Sequence, residues 1–380
     1  MQQDTSGMAI PEGSFSSKVG PESFRQTVER YGGPDAGEQW DRLTSYLLEL
    51  SECTAGVPPF ALRTGPGALV TLPRYWRALI KAAKVGTQLQ GPFTGLMDKL
   101  EITDTFVRQW MNMLCFLLQG LPANGTMVAV MAYMVADWCR PGAVLDYPKG
   151  GTEAMVDALV RGVEKHGSEV RLRAHVEEVL VEGGKACGVR LRGGQVIRAK
   201  KSVISNASAW DTIRLVPDGA LPPEYVQERE AAPQCKSFMH VHLGVRAADL
   251  EEKGIKPFNH YTVVGDWSVP INAPGNVVVI SVPSVLDPSL APKGCHAVHA
   301  YTAGCEPYST WEGLDPKSEE YRLLKEERAK VLMDAVEAVF PDLESRLDVR
   351  MIGTPVTHER FLRRDRGTYG PEVVAGGMEY

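Results

Sequence analysis

Histidine offers the densest chemistry in this sequence. His240 and His242 stand two apart in "SFMHVHLGV", and His296 and His299 lie in "HAVHAYT". Residues i and i+2 share one face of a strand, so His240 and His242 could act as a ligand pair, with His296 and His299 near another strand. No carboxylate or cysteine completes the set in an obvious register. Polar residues alternating outward are the default of an antiparallel sheet, and no metal is expected. A second candidate is Gly150–Gly151 in "DYPKGGTEAMVDALVRGVEK". Paired glycines let the backbone pass close to another group, and the helix they open favours anions at its N-terminus. A plain turn explains the same residues. The third is "THERFLRRDRGTYG", with His358, Glu359, Arg360, Arg363, Arg364, Asp365 and Arg366. Its arginines could clamp an anionic cofactor or pair with carboxylates, or the segment is a solvated turn. No G-x-S-x-G, P-loop, H-E-x-x-H or G-x-G-x-x-G occurs, so hydrolase and nucleotidase chemistry lacks support.

These residues belong to a chain of 380 residues, enough for two domains or one large domain with an inserted lobe. Apolar residues make up 44%, so a sizeable core can be buried. The net charge of -6 argues against a general nucleic-acid binder. Seven scattered cysteines without C-x-x-C read as reduced thiols. The first twenty residues lack the pattern of a secretory signal or transit peptide. The uncharged run 109–136 is broken by "QGLPANGT", which leaves two buried helices and no membrane span.

Residues 1–22 read as a loose N-terminus. Helical spacing begins at Pro21 and continues to Glu49, and a Pro/Gly-rich loop follows over 55–73. Further helices are expected over Arg74–Lys84, Thr103–Leu118 and Thr126–Asp137. The last two carry Trp110, Met113, Phe116, Met131, Met134 and Trp138, together with Phe106 and Met127. Such a stripe is ordinarily core, although flexible methionines also suit a pocket for a long apolar ligand. A helix over Thr152–Lys165 presents Met155, Val156, Leu159, Val160 and Val163 on one face. A β-meander with turns at 183–184 and 193–194 comes next, ending in an apolar strand at Ser202–Ile204. More strands are expected between Ser237 and Thr302, then an amphipathic helix over Glu319–Phe340.

"YPKGGTEAMVDALVRGVEKHGSEVRLRAHVEEVLVEGGKACGVRLRGGQVIRAKKSVISNASAWDT" resembles the middle of the FAD-dependent carotenoid isomerase and phytoene desaturase group, within the amine-oxidase-like flavoproteins. "SVPSVLDPSLAPKGCHAVHAYT" and "GTPVTHERFLRRDRGTYGP" resemble its prolycopene isomerase branch. The resemblance implies an α/β fold with an α+β insert: a partial FAD-binding, amine-oxidase-like fold with a β-meander, and a substrate lobe of helices over an antiparallel sheet. It divides the chain into a helical substrate lobe (23–141), the middle part of the FAD-binding domain (142–215), the substrate-domain sheet and long helix (216–352), and a return toward the FAD-binding domain (353–380).

By the same resemblance, Gly150, Gly151, Val176, Asn206 and Ala207 would meet the FAD. Trp110, Met113, Phe116, Met131, Met134 and Trp138 would line an apolar substrate space, which raises the pocket reading of those helices above the core reading. The family's fingerprint loop and its C-terminal Gly-Asp motif are not found, so an incomplete chain that does not retain FAD is expected. The implied activity is FAD-linked oxidation or cis–trans isomerisation of a carotenoid-like or other lipophilic polyene, with NAD(P) as a candidate electron partner. No catalytic residue is assigned. Plastid localisation and peripheral membrane association follow from the family, with the cytoplasm otherwise. The alternative is a non-catalytic binder of lipids or prenylated proteins, of the GDP-dissociation-inhibitor type.

Overall fold

The sequence "HVHLGVR" alternates strictly, and the structure follows the alternation. In a computed structural model that describes residues 2–3, 5–18, 21–54, 72–143, 145–250 and 252–376, it forms strand β8 (His240–Arg246). Val241, Leu243 and Val245 are buried on one face, and His240 and His242 point to the other. Around it lies a seven-stranded sheet in the order β12-β8-β11-β10-β9-β2-β3. Its other strands are β2 (Thr5–Ile10), β3 (Gly13–Lys18), β9 (His260–Val264), β10 (Val277–Ser281), β11 (Cys295–Thr302) and β12 (Leu347–Gly353). Neighbours are antiparallel except for β2 against β9.

Helix Glu319–Glu337 covers one face of this sheet. Leu332 and Val336, with Phe340 just beyond it, pack on Val241, Val245, Ile280 and Ala300. This amphipathic helix was legible in its spacing, and Ser318 caps it by accepting from the amide of Tyr321.

A second core fills the helical lobe. It is built from Pro21–Tyr31, Ala36–Thr54, Trp76–Gln90, Phe93–Lys99, Thr105–Gln119 and Val128–Trp138. Asp104 sets the geometry at the start of the fifth of these helices. One carboxylate oxygen accepts from Val107 N at 2.8 Å, and the other accepts from Gly33 N at 2.8 Å. That second bond explains why helix 21–49 is broken at Gly32–Gly33.

Of the residues expected to be a loose N-terminus, 5–18 instead form the β2–β3 hairpin at the sheet edge. Gly7 must be glycine there, because a Cβ would sit 2.3 Å from the Tyr261 ring. Met8 and Ile10 from this hairpin enter the helical core. The loop read over 55–73 lies mostly outside the described residues.

The remaining piece is smaller. A short pair, β1 (Gln2–Gln3) with β4 (Leu145–Asp146), precedes helix Gly151–Lys165. Then comes the meander β5 (Val176–Glu182), β6 (Lys185–Leu191) and β7 (Val196–Arg198). The strand expected at Ser202–Ile204 is not formed, and Ile204 is 89% exposed. Among the described residues no strand lies beside it to complete a ladder. Helix 151–165 has the predicted apolar spacing, yet Met155, Val156 and Leu159 face solvent. The described cysteines are free thiols.

Candidate functional site

The sheet face opposite helix Glu319–Glu337 carries rings. On β8 and β11, His242 stands directly opposite His299, and His240 opposite Tyr301. Phe238, just before β8, lies 5.6 Å from the His240 ring and 6.0 Å from the Tyr301 ring, centre to centre. Helix Pro355–Leu362 delivers His358 to the same place. A capping box between Thr354 and Thr357 starts that helix. Tyr369 closes edge-on against Phe238 at 4.9 Å.

Facing these rings is the C-terminal end of helix Thr105–Gln119. Gly120 ends it in the left-handed conformation, φ 76°. Between helix end and sheet lies a cavity of about 440 Å³, lined by Phe116, Gln119, Lys236, Phe238, His240, His299, Tyr301, His358, Tyr369 and their neighbours. Among the described residues no carboxylate lines it.

The imidazoles touch one another. His240 Nδ1 lies 2.7 Å from His299 Nε2, and His240 Nε2 lies 2.6 Å from His358 Nε2. His240 and His299 are nearly parallel, at 3°, with centres 5.0 Å apart. They therefore meet edge to edge through their nitrogens. Burial, reinforced by the neighbouring imidazoles, pushes His240 down to about 2 and His299 down to about 4. Burial also lowers His242 and His358. The ring face is accordingly uncharged at neutral pH. His296, grouped with these residues by the sequence, bonds instead to Ser284 at 2.8 Å. His358, which completes the cluster, was not linked to it: it lies 118 positions from His240.

The expected apolar lining is placed differently. Trp110, Met113 and Met131 are fully buried in the helical core. Trp110 stacks on Phe24 at 4.3 Å and meets Phe15 from the hairpin at 5.9 Å. Those two rings occupy the space beside Trp110. Met134 and Trp138 are half-buried, and Trp138 packs on the same core. Of the six, Phe116 alone reaches the cavity.

Gly150 and Gly151 both take positive φ, 83° and 76°, which explains the pair. The turn holds a protein carboxylate: Asp287 Oδ2 accepts from Gly150 N at 2.8 Å. This ties helix 151–165 to the connection between β10 and β11. Val176 opens β5 opposite Leu191. Asn206 and Ala207 are exposed, and Ala207 N donates to Ser205 Oγ at 3.3 Å. In the charged tail segment Arg366 pairs with Glu312 at 3.2 Å, while Asp365 is itself contacted by Arg214 and Gln234 and its amide donates to Asp211 Oδ2 at 2.9 Å.

The profile of the flavin-containing amine oxidoreductases matches residues 33–363. The chain belongs to this family. It is 34% identical to chloroplastic prolycopene isomerase of Arabidopsis thaliana over 279 residues, 73% of this chain and 45% of that protein. It is 25% identical to the neurosporene-forming phytoene desaturase of Cereibacter sphaeroides, over 69% of this chain and 50% of that protein. The chain thus spans half or less of the length of these relatives. Among solved structures, putrescine oxidase aligns with a TM-score of 0.59 at 17% identity, covering 99% of this chain and 71% of that one. An oxidoreductase from Methanosarcina mazei aligns with a TM-score of 0.56 at 14% identity, over 93% of this chain and 69% of that one. These likenesses establish the mixed α/β, amine-oxidase-like fold.

Among the described residues, those expected to meet the cofactor do not enclose a dinucleotide. The amide of Gly150 is already bonded to Asp287, and Asn206 and Ala207 lie on open surface.

Proposed function

We propose that the chain provides the substrate lobe and one wall of the cofactor site of an FAD-linked oxidoreductase or isomerase acting on a carotenoid-like polyene. The cavity between Phe116 and the ring face carries the reading. It has room for a segment of a flat chain, aromatic or imidazole surfaces on the sheet side, and no carboxylate. A polyene offers no hydrogen-bonding handle, so recognition must rest on apolar burial, at about 25 cal/mol per Å². Phe238, Tyr301 and Tyr369 supply flat, weakly polar walls that exclude water and fix the ligand's plane. The relatives' names, prolycopene isomerase and phytoene desaturase, supply the substrate class.

Plastid residence is part of the same proposal, from the chloroplastic relatives. Docking at a membrane surface would give access to such a substrate. Among the described residues no helix is long and apolar enough to cross a bilayer.

The test is polyene retention. Chain mixed with prolycopene in micelles and passed through gel filtration is expected to carry the polyene absorbance, and Phe116→Ala to reduce it. Isomer and desaturation products, separated after incubation with FAD and NAD(P)H, then distinguish the two reactions. Retention without turnover favours a non-catalytic lipid binder. Failure to retain any polyene overturns the proposal.

A further inference from the structure

The ring face holds four histidines from three separate elements, which a polyene pocket does not require. Two sit on β8, one on β11 and one on helix Pro355–Leu362. One ring nitrogen each from His240, His242 and His299 lies within 4.8 Å of the other two. His242 is exposed, so the group is open to ions from solvent. The rings are uncharged, which is the form that binds a cation.

We propose that His240, His242 and His299 form a binding site for a divalent transition cation of the zinc type, with His358 as the positioning residue behind His240. Imidazole sets of this kind suit zinc, cobalt, nickel and copper, and the lack of a carboxylate disfavours magnesium and calcium. The atom assignments follow from the hydrogen bonds. His240 Nδ1 and His299 Nε2 point at each other and become ligands. His240 Nε2 is then left to donate its hydrogen to His358 Nε2, 2.6 Å away. A ligating histidine ordinarily has its other nitrogen held this way, which fixes tautomer and ring orientation.

In the metal-free chain, one hydrogen is shared across the 2.7 Å gap between His240 and His299. Coordination requires His299 to take its other neutral tautomer: the hydrogen leaves Nε2 and one is taken up at Nδ1 from solvent, so both rings ligate uncharged with no net proton release. Two nitrogens on a tetrahedral zinc stand about 3.3 Å apart, so the gap must open by about 0.6 Å. A small rotation of the His299 ring achieves this without moving the strands. Three nitrogens leave one position for water or an oxygen-bearing ligand, as in open zinc sites. His240 and His299 both border the cavity described above. The site stands independently of flavin or polyene binding.

The experiment uses untagged chain, stripped with a chelator and titrated with Co²⁺. Visible d–d bands and a 1:1 metal content by mass spectrometry are expected, with Zn²⁺ displacing the cobalt. His242→Ala, at an exposed position, should abolish the bands while the circular dichroism spectrum is unchanged. His299→Ala should do the same. His358→Ala should weaken binding by about 10–100-fold at unchanged stoichiometry, and His296→Ala should have no effect. Cobalt binding that is absent, or that survives both His242→Ala and His299→Ala, overturns the site. Wild-type affinity in His358→Ala overturns the positioning role.

Discussion

Replacing Arg328 with Ala strands a buried carboxylate, Glu306. Glu306 is 2% exposed, and its oxygens accept from Arg328 Nε at 3.0 Å and Nη2 at 2.6 Å. Oε1 also accepts from Trp311 Nε1 at 2.9 Å. The backbone of Glu306 is bonded in both directions to Ser237, beside Phe238. Removing one partner of a buried pair typically costs 3–5 kcal/mol, because the other charge stays out of water. Arg328 is itself 28% exposed, so water enters when it is shortened, and the lower value, about 3 kcal/mol, is expected. At a urea dependence of about 3 kcal/mol per M, the unfolding midpoint falls by about 1 M. The control is Arg328→Met combined with Glu306→Gln, which removes both charges while an amide oxygen still accepts from Trp311. This double variant should recover most of the loss. A single variant within about 0.2 M of wild type, or a double variant no better than the single, refutes the reasoning.

Chelator-treated protein should lose stability as pH falls below 6.5. His240 and His299 bind protons more weakly when folded than when unfolded, so acid favours the unfolded chain. Each should contribute about 1–2 kcal/mol of loss at pH 5, and urea midpoints flat between pH 7.5 and 5 would contradict this. Asp104→Ala should cost about 1–2 kcal/mol and lower the melting temperature, since both the helix cap and the Gly33 tie are lost; an unchanged melting curve rules it out. Met131→Glu should unfold the helical lobe in circular dichroism, whereas Phe116→Ala, a truncation within the same core, should leave the lobe folded at room temperature but cost it about 3–5 kcal/mol and lower its melting temperature. Asp287→Ala should expose the start of helix 151–165 to limited proteolysis, and an unchanged cleavage pattern would show that the Gly150 bond does not hold it.

Much of the sheet could be read from its own alternation, because Val241, Leu243 and Val245 must be buried if His240 and His242 are not. The N-terminal hairpin could not. "TSGMAIPEGSFSSK" is rich in small polar residues, and only its pairing with β9 makes it a strand. That hairpin also bears on what Trp110 does, since its Phe15 packs beside the indole together with Phe24 of helix Pro21–Tyr31. The methionine stripe was therefore visible, but not its partners. Gly150 and Gly151 were legible as a special backbone, while the identity of the group they hold depended on Asp287, far along the chain. The same distance hid His358 from His240. Local spacing reveals faces, and long-range packing decides what each face meets.

Leu172 and Ile204 are 85% and 89% exposed, and Leu159 on helix 151–165 is 73% exposed. With Met155 and Val156, also exposed, they leave segment 155–204 with several large apolar side chains in water. Its colloidal behaviour follows. Attraction between copies strengthens on warming and in sulfate, and weakens in the cold and at modest urea. The net charge of -6 supplies a mild repulsion that added salt screens. Light scattering of the purified chain should therefore rise with protein concentration, more steeply in ammonium sulfate than in dilute buffer, well before any helix melts.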